Sequence, residues 1–200
     1  AAMTSMPDSL DATWTQAWAR LLAGARGRSD PFHQGVLATA AADGPQARYA
    51  VLRAVDPTGG TVAFHTDRRS PKCAQLAADP RVAWCFFGHG EQVRLAGTVV
   101  LHHDDAGAEA AWAASRRSSR QNYAGLNAPG SLVGEPGEGG PPGLGAPPLD
   151  AAALDFARAN FAVARLQVQS LDWLSLSAQG HVRARFDRTA DGWQSAWVTP

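Results

Sequence analysis

Apolar positions recur at helical spacing from Ser9 to Ala23, where Leu10, Trp14, Ala17, Trp18, Leu21 and Leu22 form one stripe. Asp8 or Ser9 can cap the start of this helix and Gly24 its end. After a loop from Gly27 to Pro31 the period changes to short apolar runs cut by turn residues. These predict strands over Gly35–Ala40, Ala47–Val55, Thr61–Thr66, Arg81–Phe87 and Gln92–Leu101. Asp43–Gly44, Asp56–Pro57 with Gly59–Gly60, and Gly88–Gly90 supply the turns. Later runs predict strands over Phe161–Val168, Leu171–Ser177, His181–Phe186 and Gln194–Val198. Helices are expected over Ser70–Ala78, Asp104–Ser115 and near Asp150–Ala159. Many short strands on hairpin-length turns indicate a mainly β chain, an antiparallel barrel or sandwich with peripheral helices. The segment from Gly134 to Pro148 is rich in Gly and Pro and poor in core formers, so it reads as a flexible loop. At 200 residues the chain is read as a single domain, with this loop as an excursion.

Charge and cysteine usage narrow the partners. The formal net charge is zero, which argues against nucleic acid and anionic membrane, since both call for a basic surface. No apolar run approaches the ~20 residues of a membrane span. Residues 1–8 lack a basic segment followed by an apolar one, so a secretory leader is not expected. Cys73 and Cys85 lie in apolar stretches and read as buried free thiols of a reducing cytoplasm, although sequence alone leaves a disulfide open. The chain holds seventeen Arg and one Lys, Lys72. A lysine kept against so strong a bias toward arginine invites a functional question.

Lys72 sits in the most informative stretch, Phe64-His65-Thr66-Asp67-Arg68-Arg69-Ser70-Pro71-Lys72. A strand ends at Thr66, Ser70 is a good N-cap, and Pro71 suits the first helical position. Helix-start N–H groups, two hydroxyls and an ammonium together suit a phosphate monoester; alone they also suit an ordinary capped helix. Arg48 and Arg53 stand at the ends of the apolar strand Arg48-Tyr49-Ala50-Val51-Leu52-Arg53. Guanidinium forks bind phosphate oxygens well, but residues five apart on a regular strand face opposite sides, so a shared ligand requires a break between them. In Glu91-Gln92-Val93-Arg94-Leu95, Gln92 shares a face with Arg94, and Val93 shares the other with Leu95. His102-His103-Asp104-Asp105 is a poor metal motif, because neighbouring strand residues diverge, and no metal site is expected. Trp14 and Trp18, one helical turn apart, are read as core or dimer packing and not as a ligand stack.

Taken in order, these elements resemble the pyridoxamine 5'-phosphate oxidase family, and within it the oxidase-related FMN-binding branch. The matching segments are Arg48–Arg53, Phe64–Asp67 with Ser70 and Lys72, and Glu91–Arg94. The likeness covers Gln34 to Arg120 and resumes more weakly at His181–Arg185 and Trp193–Pro200. It implies an antiparallel FMN-binding split β-barrel that acts as a homodimer with FMN between the subunits. Carried over by position, it implies that Arg48 and Lys72, helped by Ser70 and Thr66, hold the FMN phosphate. Val51, Leu52 and Arg53 would line the isoalloxazine, His65 stands where the family has Tyr, Gln92 would bond the flavin ring, and Arg185 would reach the cofactor. Gly130–Ser131 is the nearest match to a Gln-Ser pair. Ser175 falls where the family has a Trp packed on FMN, with Trp173 nearby.

The substrate side departs from the family. Its positions correspond here to Arg53, Trp112, Arg116 and Arg120, then His181 and Arg183; Arg53, Trp112 and Arg116 are the expected substrate contacts. Trp for Tyr and Arg for Ser leave a cationic pocket, suited to an anionic small molecule, and the sequence does not establish that it is shaped for pyridoxamine phosphate. The implied activity is that of an FMN-dependent oxidoreductase with no catalytic side chain assigned. The alternatives are a non-catalytic FMN-binding or electron-carrier protein, a split barrel that uses deazaflavin or haem, and a barrel for an apolar ligand. The sequence names neither the substrate nor the electron acceptor.

Overall fold

Period-two patterning produces strands whose burial alternates, as in Gln34–Ala41, where Gly35, Leu37 and Thr39 are buried and their neighbours are not. The computed structural model describes residues 7–143, 146–178 and 180–200; residues 1–6, and Leu144 and Gly145 of the expected loop, lie outside the described residues. Nine strands form one sheet: β1 (Gln34–Ala41), β2 (Gly44–Val51), β3 (Ala54–Asp56), β4 (Thr61–Asp67), β5 (Arg81–Gly88), β6 (Glu91–His102), β7 (Phe161–Ser175), β8 (Val182–Thr189) and β9 (Gly192–Val198). The order is β2-β1-β5-β6-β7-β4-β3, with β8 beside β7 and β9 beyond it. Every pairing is antiparallel. The expected mainly-β antiparallel architecture is present, and the sheet is not closed.

Three expected strands are organised differently. The run Ala47–Val55 is divided into β2 and β3, which lie at opposite ends of the strand order. At the break the Leu52 N–H bonds the His33 carbonyl and the Arg53 N–H bonds the Ala63 carbonyl, so two consecutive residues serve the two ends of a curled sheet. The runs Phe161–Val168 and Leu171–Ser177 are one strand, β7. Its first half pairs with β4 and its second half with β8, while β6 follows both. The join is a bulge: Ala96 opposes Ser170 and Gly97 opposes Val168, leaving Gln169 as the extra residue. Gly97 has no room for a side chain there, since a Cβ would come within 2.0 Å of the Gln167 carbonyl oxygen.

The helices are α1 (Leu10–Arg26), α2 (Pro71–Ala78), α3 (Ala106–Ala114), a single turn α4 (Arg117–Arg120), and α5 (Ala151–Asn160). Ser9, Asp105 and Asp150 cap α1, α3 and α5 through their side chains. Gly24 does not end α1, which runs on to a cap at Gly27. Gly24 instead lets the helix approach Phe32, whose carbonyl oxygen would lie 2.4 Å from a Cβ. Trp18 and Leu21 of α1 enter the main core with Leu37, Trp84 and Leu95 on the sheet's inner face, and Trp14 packs on Trp18, Phe186 and Trp193. A second apolar cluster, Ala63, Tyr123, Ala157, Phe161 and Val163, covers the outer face of β4 and β7. The stretch from Gly125 to Gly143 has no regular element, and its Asn127 N–H bonds back to the Gly139 carbonyl. Both cysteines are free; Cys73 is buried, but Cys85 is only half-buried because it sits opposite Arg94 on the outer face. Among the described residues no helix is long and apolar enough to cross a membrane.

Candidate functional site

The strand register places the expected site residues. Leu37 of the core stands opposite Arg48 on one side and Trp84 on the other, so Arg48 rises from the inner face. Thr66 shares that face with Phe64, two residues before it. Helix α2 closes this end of the sheet and joins the two. The Arg48 guanidinium donates to Thr39 Oγ1 (2.5 Å) and to Gln75 Oε1 on α2 (3.2 Å), and Thr39 donates to the same amide oxygen (2.6 Å). Gln75 lies one turn after Lys72. Lys72 Nζ donates to Thr66 Oγ1 and to Ser70 Oγ, both at 3.1 Å.

Ser70 stands at the N-cap of α2, but its hydroxyl makes no capping bond. It is turned to Lys72, Thr66 and Cys73 instead. The start of α2 therefore keeps its dipole end free of a side-chain cap while two hydroxyls face an ammonium. All the side-chain partners of Arg48 and Lys72 are neutral oxygens. Burial lowers the pKa of both groups, and the Arg48 charge presses further on Lys72. Two half-buried cations sharing a cradle of hydroxyls, with no carboxylate among their hydrogen-bond partners, form an incomplete electrostatic unit that an anion would complete.

The irregular segment lies against this cradle. Arg69 is held by Asp67 in a two-point ion pair (2.8 Å) and donates to the Gly125 and Leu126 carbonyls at 2.9 and 3.2 Å. A Cβ on Gly130 would meet Pro71 Cγ at 3.2 Å, so Gly130–Ser131 does reach the start of α2.

The remaining candidates occupy the opposite face. Gln92 alternates with the core residues Val93 and Leu95 and stands on the outer face with Arg94. Arg185 opposes Asp172, which opposes Arg94, so it belongs to the same face; its ion-pair partner is Asp187. Arg94 and Arg183 both clamp Asp172, at 2.8 and 2.6 Å. Within one chain the sheet thus separates Gln92 and Arg185 from the Arg48–Lys72 cradle. The Leu52 side chain is wholly buried in the core, so only its backbone can touch a ligand; Val51 is half-buried. Trp173 also faces the core, where its indole N–H bonds Glu91. His102 pairs with Asp105, while His103 lies between Arg68 and the Phe161 carbonyl.

His65 and Trp112 gather over β4 and β7 around Phe161, and the charge of the exposed Arg53 acts on His65. His65 packs edge-on to Phe161 at 4.9 Å and Trp112 lies 5.3 Å from the same ring. Arg120 is absorbed by the fold: it donates to the carbonyls of Trp112 and Ala113 and lies 5.0 Å over the Trp112 ring. Arg116 stands at the N-cap of α4 and is exposed.

A family model described as Pyridoxamine 5'-phosphate oxidase matches residues 26–139, more than half of the chain. The chain belongs to the pyridoxamine 5'-phosphate oxidase family. It is 48% identical over 65 residues, 32% of this chain and 28% of the relative, to the pyridoxine/pyridoxamine 5'-phosphate oxidase of Kineococcus radiotolerans. It is 42% identical over 87 residues, 42% of this chain and 43% of the relative, to the protein of that name from Alkalilimnicola ehrlichii. The chain spans less than half the length of the curated relatives it matches. In fold it is similar to a pyridoxamine 5'-phosphate oxidase-related, FMN binding protein from Nostoc punctiforme, with a TM-score of 0.71 at 23% identity over 98% of this chain and 100% of the other. It is also similar to PhzG of Burkholderia lata, in complex with tetrahydrophenazine-1-carboxylic acid, with a TM-score of 0.67 at 21% identity over 98% and 95% of the two chains.

Within this pyridoxamine 5'-phosphate oxidase-family fold, burial and the Arg53 charge hold His65 neutral, lowering its pKa from the ordinary 6.5 to about 4. The unfolded chain takes up a proton between these values and the folded chain does not, so stability present above pH 6.5 is lost as pH falls toward 4. Urea unfolding at pH 7 and pH 5 should show a loss of about 1–2 kcal/mol. His65→Gln should remove most of that difference; an equal loss in the variant would place its origin elsewhere.

Sequence reasoning passed over three contributors. Gln75 was recoverable, since it lies three residues after Lys72 on a helix. Arg69 and Tyr123 were not, because their roles depend on where the irregular segment returns.

Proposed function

We propose that this chain is an FMN-dependent oxidoreductase working as a homodimer, with the cofactor held between subunits. The observation that carries the reading is the pair of cations, Arg48 and Lys72, set among the hydroxyls of Thr66 and Ser70 at the start of α2 without an anionic hydrogen-bond partner. A terminal phosphate satisfies that chemistry. Arg48 and Lys72 bind it; Thr66 and Ser70 orient it. Val51, the Leu52 backbone, Arg53 and His65 stand along the path from this cradle to the outer face. FMN, once bound, supplies a ring that accepts a hydride from a carbon bearing an amine or alcohol.

A second copy is part of the reading because Gln92 and Arg185 stand on the sheet face away from their own cradle. Apposed to a partner, they would serve the flavin held by the other subunit. The free thiols of Cys73 and Cys85 suit a cytoplasmic home. One observation favours a non-catalytic FMN carrier as the second reading: Arg120 is tied up by the Trp112 and Ala113 carbonyls, which removes a cation from the substrate side.

The visible spectrum of purified protein tests the assignment. Two flavin bands in the blue, present as isolated or after FMN is added, are expected. An intense Soret band would assign haem, and a colourless protein that stays colourless with FMN defeats the proposal. Anaerobic bleaching by a panel of amines and alcohols then separates the oxidoreductase from the carrier, which would remain coloured throughout.

A further inference from the structure

Residues 125–141 form no helix or strand, yet they hold a shape of their own. The Asn127 N–H donates to the Gly139 carbonyl at 2.9 Å and its side-chain amide to the Glu138 carbonyl at 3.4 Å, which closes a neck. Inside the loop the Glu138 carboxylate accepts from the Gly134 and Glu135 N–H groups at 2.9 and 3.3 Å. A long connection whose ends meet in this way is an Ω-loop. Its apolar side chains Leu126, Leu132 and Val133 are all exposed, so little apolar burial holds the loop to the protein.

One guanidinium fastens it. Arg69 donates to the Gly125 and Leu126 carbonyls, beside the neck, at 2.9 and 3.2 Å. Among the described residues no other hydrogen bond ties residues 125–141 to the rest of the protein. The other side of the Arg69 fork grips the buried Asp67, and the guanidinium lies 5.5 Å from the Phe156 ring of α5. Asp67 also shapes the turn into α2. Its Oδ1 accepts the Arg69 N–H at 2.8 Å, and its carbonyl accepts the Ser70 N–H at 3.0 Å and the Cys73 thiol at 3.4 Å. The residue that holds Arg69 therefore also bends the turn on which Thr66, Ser70 and Lys72 stand. On its far side the loop rests on the same turn: Gly130, at φ +90°, approaches Pro71 so closely that a Cβ would lie 3.2 Å from Pro71 Cγ. Pro71 stands between Ser70 and Lys72, at a helix start without a side-chain cap.

We propose that residues 125–141 are a strap over the phosphate cradle, latched by Arg69, which opens to let the cofactor's phosphate enter and leave. That the cargo is the phosphate of FMN rests on the reading above; the latch itself does not. Asp67 and Arg69 act as positioning residues and touch no reacting atom. A gate passed in both directions slows entry and exit alike, so it sets the rate of exchange and leaves the equilibrium nearly untouched.

Arg69→Lys tests this on the full chain. An ammonium keeps the charge against Asp67 but lacks the planar fork that reaches the carboxylate and two carbonyls together. In the cofactor-free protein, cleavage after Glu138 by a glutamyl endopeptidase should become about tenfold faster, the equivalent of one to two lost hydrogen bonds, while cleavage after Glu109 on α3 stays at the parent rate. Stopped-flow mixing with FMN should show association and dissociation each about tenfold faster, with a dissociation constant within about threefold of the parent. Unchanged cleavage after Glu138 overturns the latch. Cleavage after Glu109 accelerated to the same degree makes Arg69 a structural residue and overturns it as well. Unaltered FMN rates, or a loss of affinity carried by dissociation alone, overturns the strap as a gate. A parent protein that takes up no FMN overturns the FMN reading instead, and cleavage of that same cofactor-free protein still decides the latch.

Discussion

Lys72→Met is expected to weaken FMN binding by about thirty- to a hundredfold and, in the same protein without FMN, to leave stability unchanged or raised. Both signs come from one cause. Lys72 is held in a partly desolvated cradle beside Arg48, with two hydroxyls as its partners. A charge-assisted bond to a phosphate oxygen contributes about 2–3 kcal/mol, which is the stated loss in affinity. Without the phosphate, burial disfavours the ammonium most and the Arg48 charge adds to it, while Cys73 and Asp67 act the other way without outweighing burial. Methionine keeps the length of the stem and removes the charge. Fluorescence titration of FMN and thermal unfolding of the cofactor-free protein measure the two quantities. A variant that binds FMN as tightly as the parent would move the phosphate site elsewhere, and a variant that unfolds far below the parent would make Lys72 a structural residue.

The largest effect on stability is expected at Glu91, for the opposite reason, since here the buried charge is fully paired. Its side chain is 5% exposed and accepts from the Trp173 indole N–H at 3.0 Å, Gln16 Nε2 at 2.9 Å and the Arg20 guanidinium at 3.0 Å. These bonds tie α1 to the neighbouring ends of β6 and β7. Glu91→Leu removes the acceptor of the indole N–H and of the Gln16 amide, and takes one partner from the Arg20 guanidinium. Breaking a buried pair from one side costs about 3–5 kcal/mol, which lowers the midpoint of thermal unfolding by about 10 °C in a chain of this size. Glu91 lies in the core near the motif residue Gln92 but faces away from it, so FMN affinity measured well below the transition should be retained. A midpoint within about 2 °C of the parent would mean that water replaces the carboxylate at little cost.

What could be read along the chain was whatever acts within a turn or a rung. Ser9, Asp105 and Asp150 cap their helices through contacts three residues long, and alternation of burial along β1, β5 and β6 follows directly from the pattern of apolar residues. The anion cradle was legible for the same reason: Thr66, Ser70 and Lys72 are close in sequence, and their strand-to-helix turn brings them together. The separation of Arg48 from Arg53 was posed by strand periodicity, and the break at Leu52 answers it.

The rest needed partners distant in sequence. Whether Ala47–Val55 is one strand or two depends on which sheet edges receive Leu52 and Arg53. That Phe161–Ser175 is continuous depends on Gly97 of β6 making room for a bulge. Alternation alone turns Gln92 away from Val93 and Leu95, but only the register across the sheet sets Arg48 on the face opposite to Gln92 and Arg185. Tyr123 and Arg120 show this most clearly. Both lie where periodicity is weak, and one joins the second apolar cluster while the other loses a free charge only because α3, α5 and that cluster converge on them. Local preference determined the elements and the turn that gathers Thr66, Ser70 and Lys72; long-range packing alone decided which polar groups found partners, because a hydrogen bond or a buried charge is satisfied by position in space and not by position in the chain.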